Sequence, residues 1–123
     1  MRIAIPVDKQ NLEASVNQTF GRTPYFLIYD TETKENVFID NSAAASQGGA
    51  GIKAAQSIVD NKAEAVLTPL CGENAAEVLN AAGIKIYKTV RDASVMDTIN
   101  AFMEGKLAIL EDIHPGFHGQ GGK

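Results

Sequence analysis

The sequence predicts an α/β domain built on a mixed, five-stranded sheet. Three observations carry this: short β-branched or aromatic runs alternate with amphipathic helical stretches, glycines stand where helices should start and stop, and a hairpin-like pair of runs precedes the first helix. A chain of 123 residues suits one domain with one core. With 45% hydrophobic and 21% charged residues it has ordinary globular usage, which argues against disorder over most of its length.

Ile3 to Val7 reads as strand 1, with Pro6 marking where its ladder ends. Asp8 to Pro24 is polar and without periodicity, and reads as a long loop. Tyr25 to Tyr29 and Asn36 to Ile39 form strands 2 and 3, separated by the turn-like Asp30-Thr31-Glu32-Thr33-Lys34. Gly48-Gly49-Ala50-Gly51 opens a helix whose apolar face is Ile52, Ala55, Ile58 and Val59. Strand 4 covers Ala65 to Thr68. After Pro69-Leu70-Cys71-Gly72 a second helix sets Ala75, Val78, Leu79 and Ala82 on one face and closes at Gly83, where a left-handed residue is wanted. Strand 5 spans Ile84 to Tyr87. Ser94-Val95-Met96-Asp97 caps a third helix, with Val95, Ile99, Phe102 and Met103 inward and Gly105 at its end. The domain is expected to occupy residues 1–112. From Ile113 on, His-Pro-Gly-Phe-His-Gly-Gln-Gly-Gly-Lys holds too little apolar surface for an element, so 113–123 reads as a flexible Gly/His tail.

The order β-β-β-α-β-α-β-α requires parallel strands with right-handed crossovers after the hairpin. The simplest sheet is 3-2-1-4-5, strand 2 alone antiparallel, with helices on both faces. Ligands in such sheets bind beyond the carboxyl ends of the strands, where connections diverge to opposite faces, and here that point lies between strands 1 and 4. The loops Asp8 to Pro24, Asn41 to Gly51 and Pro69 to Gly72 should meet there. Two of them lead into helix N-termini, whose free N–H groups and dipole favour an anion.

A formal net charge of −4 and the lack of any basic run leave no general attraction to nucleic acid. Cys71 is the only cysteine, so no internal disulfide forms and a reducing cytoplasm is expected. No apolar run reaches membrane length, and no membrane association is expected.

Candidate chemistry gathers in the converging loops. Gly48, Gly49 and Gly51 would let backbone approach a ligand, although their spacing is neither the dinucleotide fingerprint nor a P-loop; a flexible helix start is the competing reading. Cys71 stands just before a helix N-terminus, which should lower its pKa and favour the metal-ligating thiolate; the competing reading is a small buried apolar side chain. One cysteine cannot supply the four thiolates of a ferredoxin-type cluster, so any cluster would arrive preassembled, bridge subunits, or be held by non-covalent contacts. Arg22 offers a planar fork of donors for an anion, or for a loop carboxylate or carbonyl. His114 and His118 are four residues apart, but Pro115 and Gly116 exclude the helix that would align them; they would clip a metal from the tail or remain solvated. No nucleophile–base pair is apparent, and Asp8 and Asp40 alone would equip a two-metal nuclease poorly.

Taken together, Met1-Arg-Ile-Ala-Ile-Pro-Val7, Phe20-Gly-Arg-Thr-Pro-Tyr-Phe-Leu-Ile-Tyr-Asp30, Gly48-Gly-Ala-Gly-Ile-Lys-Ala-Ala-Gln56 and Cys71-Gly-Glu-Asn-Ala-Ala-Glu-Val-Leu-Asn-Ala-Ala-Gly-Ile-Lys-Ile-Tyr87 resemble the dinitrogenase iron–molybdenum cofactor biosynthesis family. This is the NifX- and NafY-like group that also forms the C-terminal domain of NifB. The resemblance runs from Met1 to about Leu107. It implies a ribonuclease H-like three-layer α/β/α fold and a non-enzymatic role in binding or carrying iron–molybdenum cofactor or another metal–sulfur cluster. It carries a site over to Arg22, to Gly48, Gly49 and Gly51, and to Cys71, Gly72 and Asn74. The partners it implies are cluster donor or acceptor proteins, with homodimer formation left open. A scaffold or regulatory module without metal and a nuclease are the alternatives.

Overall fold

The computed structural model describes residues 1–41, 48–90 and 92–110. In chain order its elements are β1 (Arg2–Val7), β2 (Tyr25–Asp30), β3 (Asn36–Asp40), α1 (Ala50–Asp60), β4 (Ala65–Thr68), α2 (Glu73–Ala81), β5 (Lys85–Lys88) and α3 (Val95–Met103). One five-stranded sheet is ordered β3-β2-β1-β4-β5, as expected. β2 lies antiparallel to β1 and β3, whereas β1, β4 and β5 run parallel.

The central strands are covered on both faces. Ala4, Phe26, Ile28, Val66 and Ile86 point into one core with Ala54, Ala55 and Ile58 of α1 and Ala75, Ala76 and Leu79 of α2. Ile3, Ile5, Val7, Leu27, Tyr29 and Leu67 fill the other, with Val95 and Ile99 of α3. Burying each large aliphatic side chain contributes about 1.5–3 kcal/mol, which explains why β1 and β4 read as nearly continuous apolar runs.

The helical faces need three corrections. Ile52 is 42% exposed and Met103 55% exposed, so neither belongs to the packed stripe. In α1 the inward positions are Ala50, Ala54, Ala55 and Ile58, and in α2 Ala76 takes the place expected of Ala82. Small side chains on the facing surfaces of α1 and α2 bring the two helices close together. Gly83 closes α2 with φ 80°. The Gly83 and Ile84 amides donate to Asn80 O (3.0 Å) and Leu79 O (2.9 Å), the double bond of a Schellman end that needs a left-handed residue between them.

A further pairing was not expected. Lys88 N donates to Ala108 O and Leu110 N to Ile86 O, both at 2.8 Å, so the chain after α3 covers the outer edge of β5. This shields an otherwise open strand edge and buries Leu110. The Gly/His tail, with His114 and His118, lies outside the described residues.

Candidate functional site

The carboxyl ends of β1 and β4 and the start of β2 place three loops at one edge of the sheet, and backbone contacts join them. A Cβ placed on Gly21 would stand 2.9 Å from Gly51 N and 3.0 Å from Gly51 Cα, so the loop after β1 rests directly on the first turn of α1. A Cβ on Gly51 would in turn meet the Ala75 side chain at 3.5 Å, so that turn rests on the start of α2. Arg22, the glycine turn and the Cys71–Asn74 turn therefore adjoin through Gly21, Gly51 and Ala75.

The Arg22 loop is tied down on its inner side. Phe20 is buried against Phe26, with ring centroids 5.1 Å apart. Thr23 is fully buried, its hydroxyl shared between Val7 O (3.0 Å) and Tyr25 O (3.1 Å). Asn41 Nδ2 donates to Gly21 O (3.0 Å) and Thr23 O (2.9 Å). Arg22 itself is exposed and has interactions of its own. Sequence reading missed Thr23, Asn41 and the contact role of Gly21. The one local signal was a set of short hydrogen-bonding residues and a glycine flanking the strand ends.

The three helix N-termini differ. α3 is satisfied internally: Ser94 Oγ accepts from Asp97 N at 3.1 Å, and Val95 N and Met96 N donate to Ala14 O and Leu12 O. The N-caps of α1 and α2 are Gly49 and Gly72, which carry no side chain to close the first turn. Among the described residues nothing lies within 4 Å of where a Cβ would stand at Gly48, Gly49 or Gly72. α1 has no acidic residue in its first turn, whereas α2 has Glu73. The α1 end is thus the more favourable of the two for an anion. Asn74 is exposed in the first turn of α2.

Cys71 corrects an expectation. Its side chain is 1% exposed and packs in the core beneath α1 and α2. Burial pushes the thiol up to about 11, opposite to the lowering expected from the helix N-terminus, because loss of water disfavours the charged thiolate. At neutral pH, Cys71 in the folded protein should react with a thiol-specific disulfide reagent at least about 100-fold more slowly than in the urea-unfolded chain, because both thiolate fraction and access are reduced. Comparable rates would place the thiol at the surface.

A cavity of about 280 Å3 lies elsewhere, bounded by Met1, Glu64, Gly83 and Lys85 among others, and contains none of the candidate residues. Among the described residues no three His, Cys, Asp or Glu side chains are grouped so as to hold a metal ion. No helix there is long and apolar enough to cross a membrane.

A family model described as dinitrogenase iron–molybdenum cofactor matches residues 1–105. No curated protein matches. Among solved structures, the apo form of the orange protein (ORP) from Desulfovibrio gigas is 31% identical, with 89% of this chain and 92% of that chain covered and a TM-score of 0.86. An NMR structure from Thermotoga (TM1290), provisionally assigned as a NifB protein of the DUF35 family, is 36% identical over 94% of this chain and 97% of that one, with a TM-score of 0.80. The crystal structure of PH0822 is 33% identical, covering 91% and 98%, with a TM-score of 0.74. With the matched segment spanning every strand and helix of the described residues, the chain belongs to the dinitrogenase iron–molybdenum cofactor family.

Proposed function

We propose that the chain binds an iron–molybdenum cofactor-like or other metal–sulfur cluster as cargo at the carboxyl edge of its sheet, and holds or carries it without catalysing a reaction. The observation that supports this best is the contrast between helix ends. Two glycine-capped N-termini adjoin the Arg22 loop and, among the described residues, meet no atom where a Cβ would stand at Gly48, Gly49 or Gly72, while the third helix end is filled by the protein's own carbonyls and Ser94. A polyanionic inorganic guest suits backbone amides and a guanidinium, which need no deprotonation to bind it. Gly48 and Gly49 would let the guest approach the backbone of α1, Gly51 receives the Gly21 backbone contact that sets the Arg22 loop against α1, and Gly72 and Asn74 would line the second helix end. Cys71 packs beneath this edge and supports it from the core.

Anaerobic incubation with sulfide and iron, molybdenum or copper salts, followed by desalting and metal analysis, should leave stoichiometric metal and a sulfide-to-metal charge-transfer band. Arg22→Ala should weaken retention by roughly 10- to 100-fold, the equivalent of one charge-assisted hydrogen bond, while Cys71→Ala should retain the guest. Absence of bound metal under every condition would defeat the proposal.

Delivery would bring a donor or acceptor protein to this edge, where Leu70 and Ile52 expose apolar side chains. The same exposure favours a second reading, a metal-free interaction module, for which a co-purifying partner without stoichiometric metal would be the outcome. The lone unpaired cysteine fits a reducing cytoplasm. A nuclease of ribonuclease H-like fold would need a carboxylate cluster, for which the described residues supply no group.

A further inference from the structure

We infer that Asn41 is a positioning residue for this site, setting the arch that presents Arg22. The inference rests on the reading above in which Arg22 faces the anionic guest.

Asn41 follows the last residue of β3 and is 8% exposed. Its two side-chain hydrogens go to Gly21 O (3.0 Å) and Thr23 O (2.9 Å), the carbonyls on either side of Arg22. Its backbone N–H goes to Pro24 O at 3.0 Å. Three donors from one residue thus hold three carbonyls of a four-residue stretch. Because both side-chain partners are carbonyl oxygens, the NH2 group must face them, and the amide orientation is unambiguous.

No other side chain of this size performs the same task. Aspartate would set a carboxylate against two carbonyl oxygens. Leucine would leave two carbonyls in a buried place without donors, at the full cost of their lost solvation. Serine reaches one acceptor at most. Tied inward at Gly21 and Thr23, the loop can bulge only at Arg22, and the Gly21 contact on Gly51 fixes where that bulge stands relative to the helix end. The Asn41 side chain thus acts on the Arg22 half of the proposed site, and the Gly21–Gly51 contact carries its effect to the start of α1.

A double-mutant cycle tests this with tetrathiomolybdate as the probe, measured by anaerobic titration well below each variant's melting temperature. Asn41→Ala should weaken binding roughly tenfold when Arg22 is present, and less than about twofold in the Arg22→Ala background. Asn41→Ser, which keeps one donor, should fall between and serves if the alanine variant does not fold. Amide hydrogen exchange at Arg22, Thr23 and Tyr25 should speed up in Asn41→Ala, a readout independent of any probe. Equal losses with and without Arg22 would overturn the positioning role and make Asn41 merely structural. If Arg22→Ala alone leaves affinity unchanged, the site reading falls, and the role argued for Asn41 falls with it.

Discussion

Replacing Gly21 by alanine is expected to cost about 2–3 kcal/mol of stability, whereas the same change at Gly51, its contact partner, should cost less than about 1 kcal/mol. A methyl group on Gly21 would lie 2.9 Å from Gly51 N, 3.0 Å from Gly51 Cα and 3.3 Å from Ala50 C. All three atoms are backbone, and none can rotate aside. Relief requires moving the loop, which Thr23 and Asn41 hold in place, or moving α1, which is packed against α2. At Gly51 the added methyl meets the Ala75 side chain at 3.5 Å, an ordinary contact, and alanine is favoured over glycine inside a helix. Urea unfolding of the two variants gives the comparison directly. Gly21→Ala should also weaken probe binding, because the displaced stretch carries Arg22. Equal costs at the two positions would show that loop and helix do not meet backbone to backbone.

The sheet was legible because its strands are short, β-branched and separated by helices long enough to force parallel crossovers. Strand order then followed from handedness and from the hairpin, and the site edge from strand order. What could not be read were choices set by distance between elements. Ile52 is the larger hydrophobe, yet Ala54 and Ala55 occupy the buried face, because α1 and α2 approach through small residues on both sides. Periodicity alone cannot tell a close alanine seam from a wide isoleucine one. Cys71 shows the same limit in electrostatics: proximity to a helix N-terminus is visible in the sequence, but the degree of burial is not, and burial decides the direction of the shift. Asn41 and Thr23 were illegible as site residues because their partners are backbone carbonyls, which every residue has. The pairing of residues 108–110 with β5 had a signal in the apolar run Leu107-Ala-Ile-Leu110, but a run of four residues does not by itself say which strand edge it covers.

Removal of the Phe20 ring should have the largest effect of any single change near the site. Phe20→Ala is expected to cost about 3–4 kcal/mol, the usual loss for a buried phenylalanine, from a total that for a domain of this size is on the order of 5–15 kcal/mol. Phe20 sits in the core cluster with Phe26, Ala54, Ala75 and Cys71, its ring tilted 58° to that of Phe26. A tilted aromatic pair adds to simple burial, so leucine should restore only part of the loss. The position also decides function, because Phe20 immediately precedes Gly21 and Arg22 and is the anchor that ties their loop to the core. In Phe20→Ala the arch loses its floor while its hydrogen bonds to Asn41 and Thr23 remain. Probe affinity should therefore fall even at temperatures where the variant is fully folded by circular dichroism, and Phe20→Leu should recover affinity more completely than stability. A cost below about 1.5 kcal/mol in urea unfolding, or affinity unchanged in folded Phe20→Ala, would mean that the loop is held by its polar ties alone.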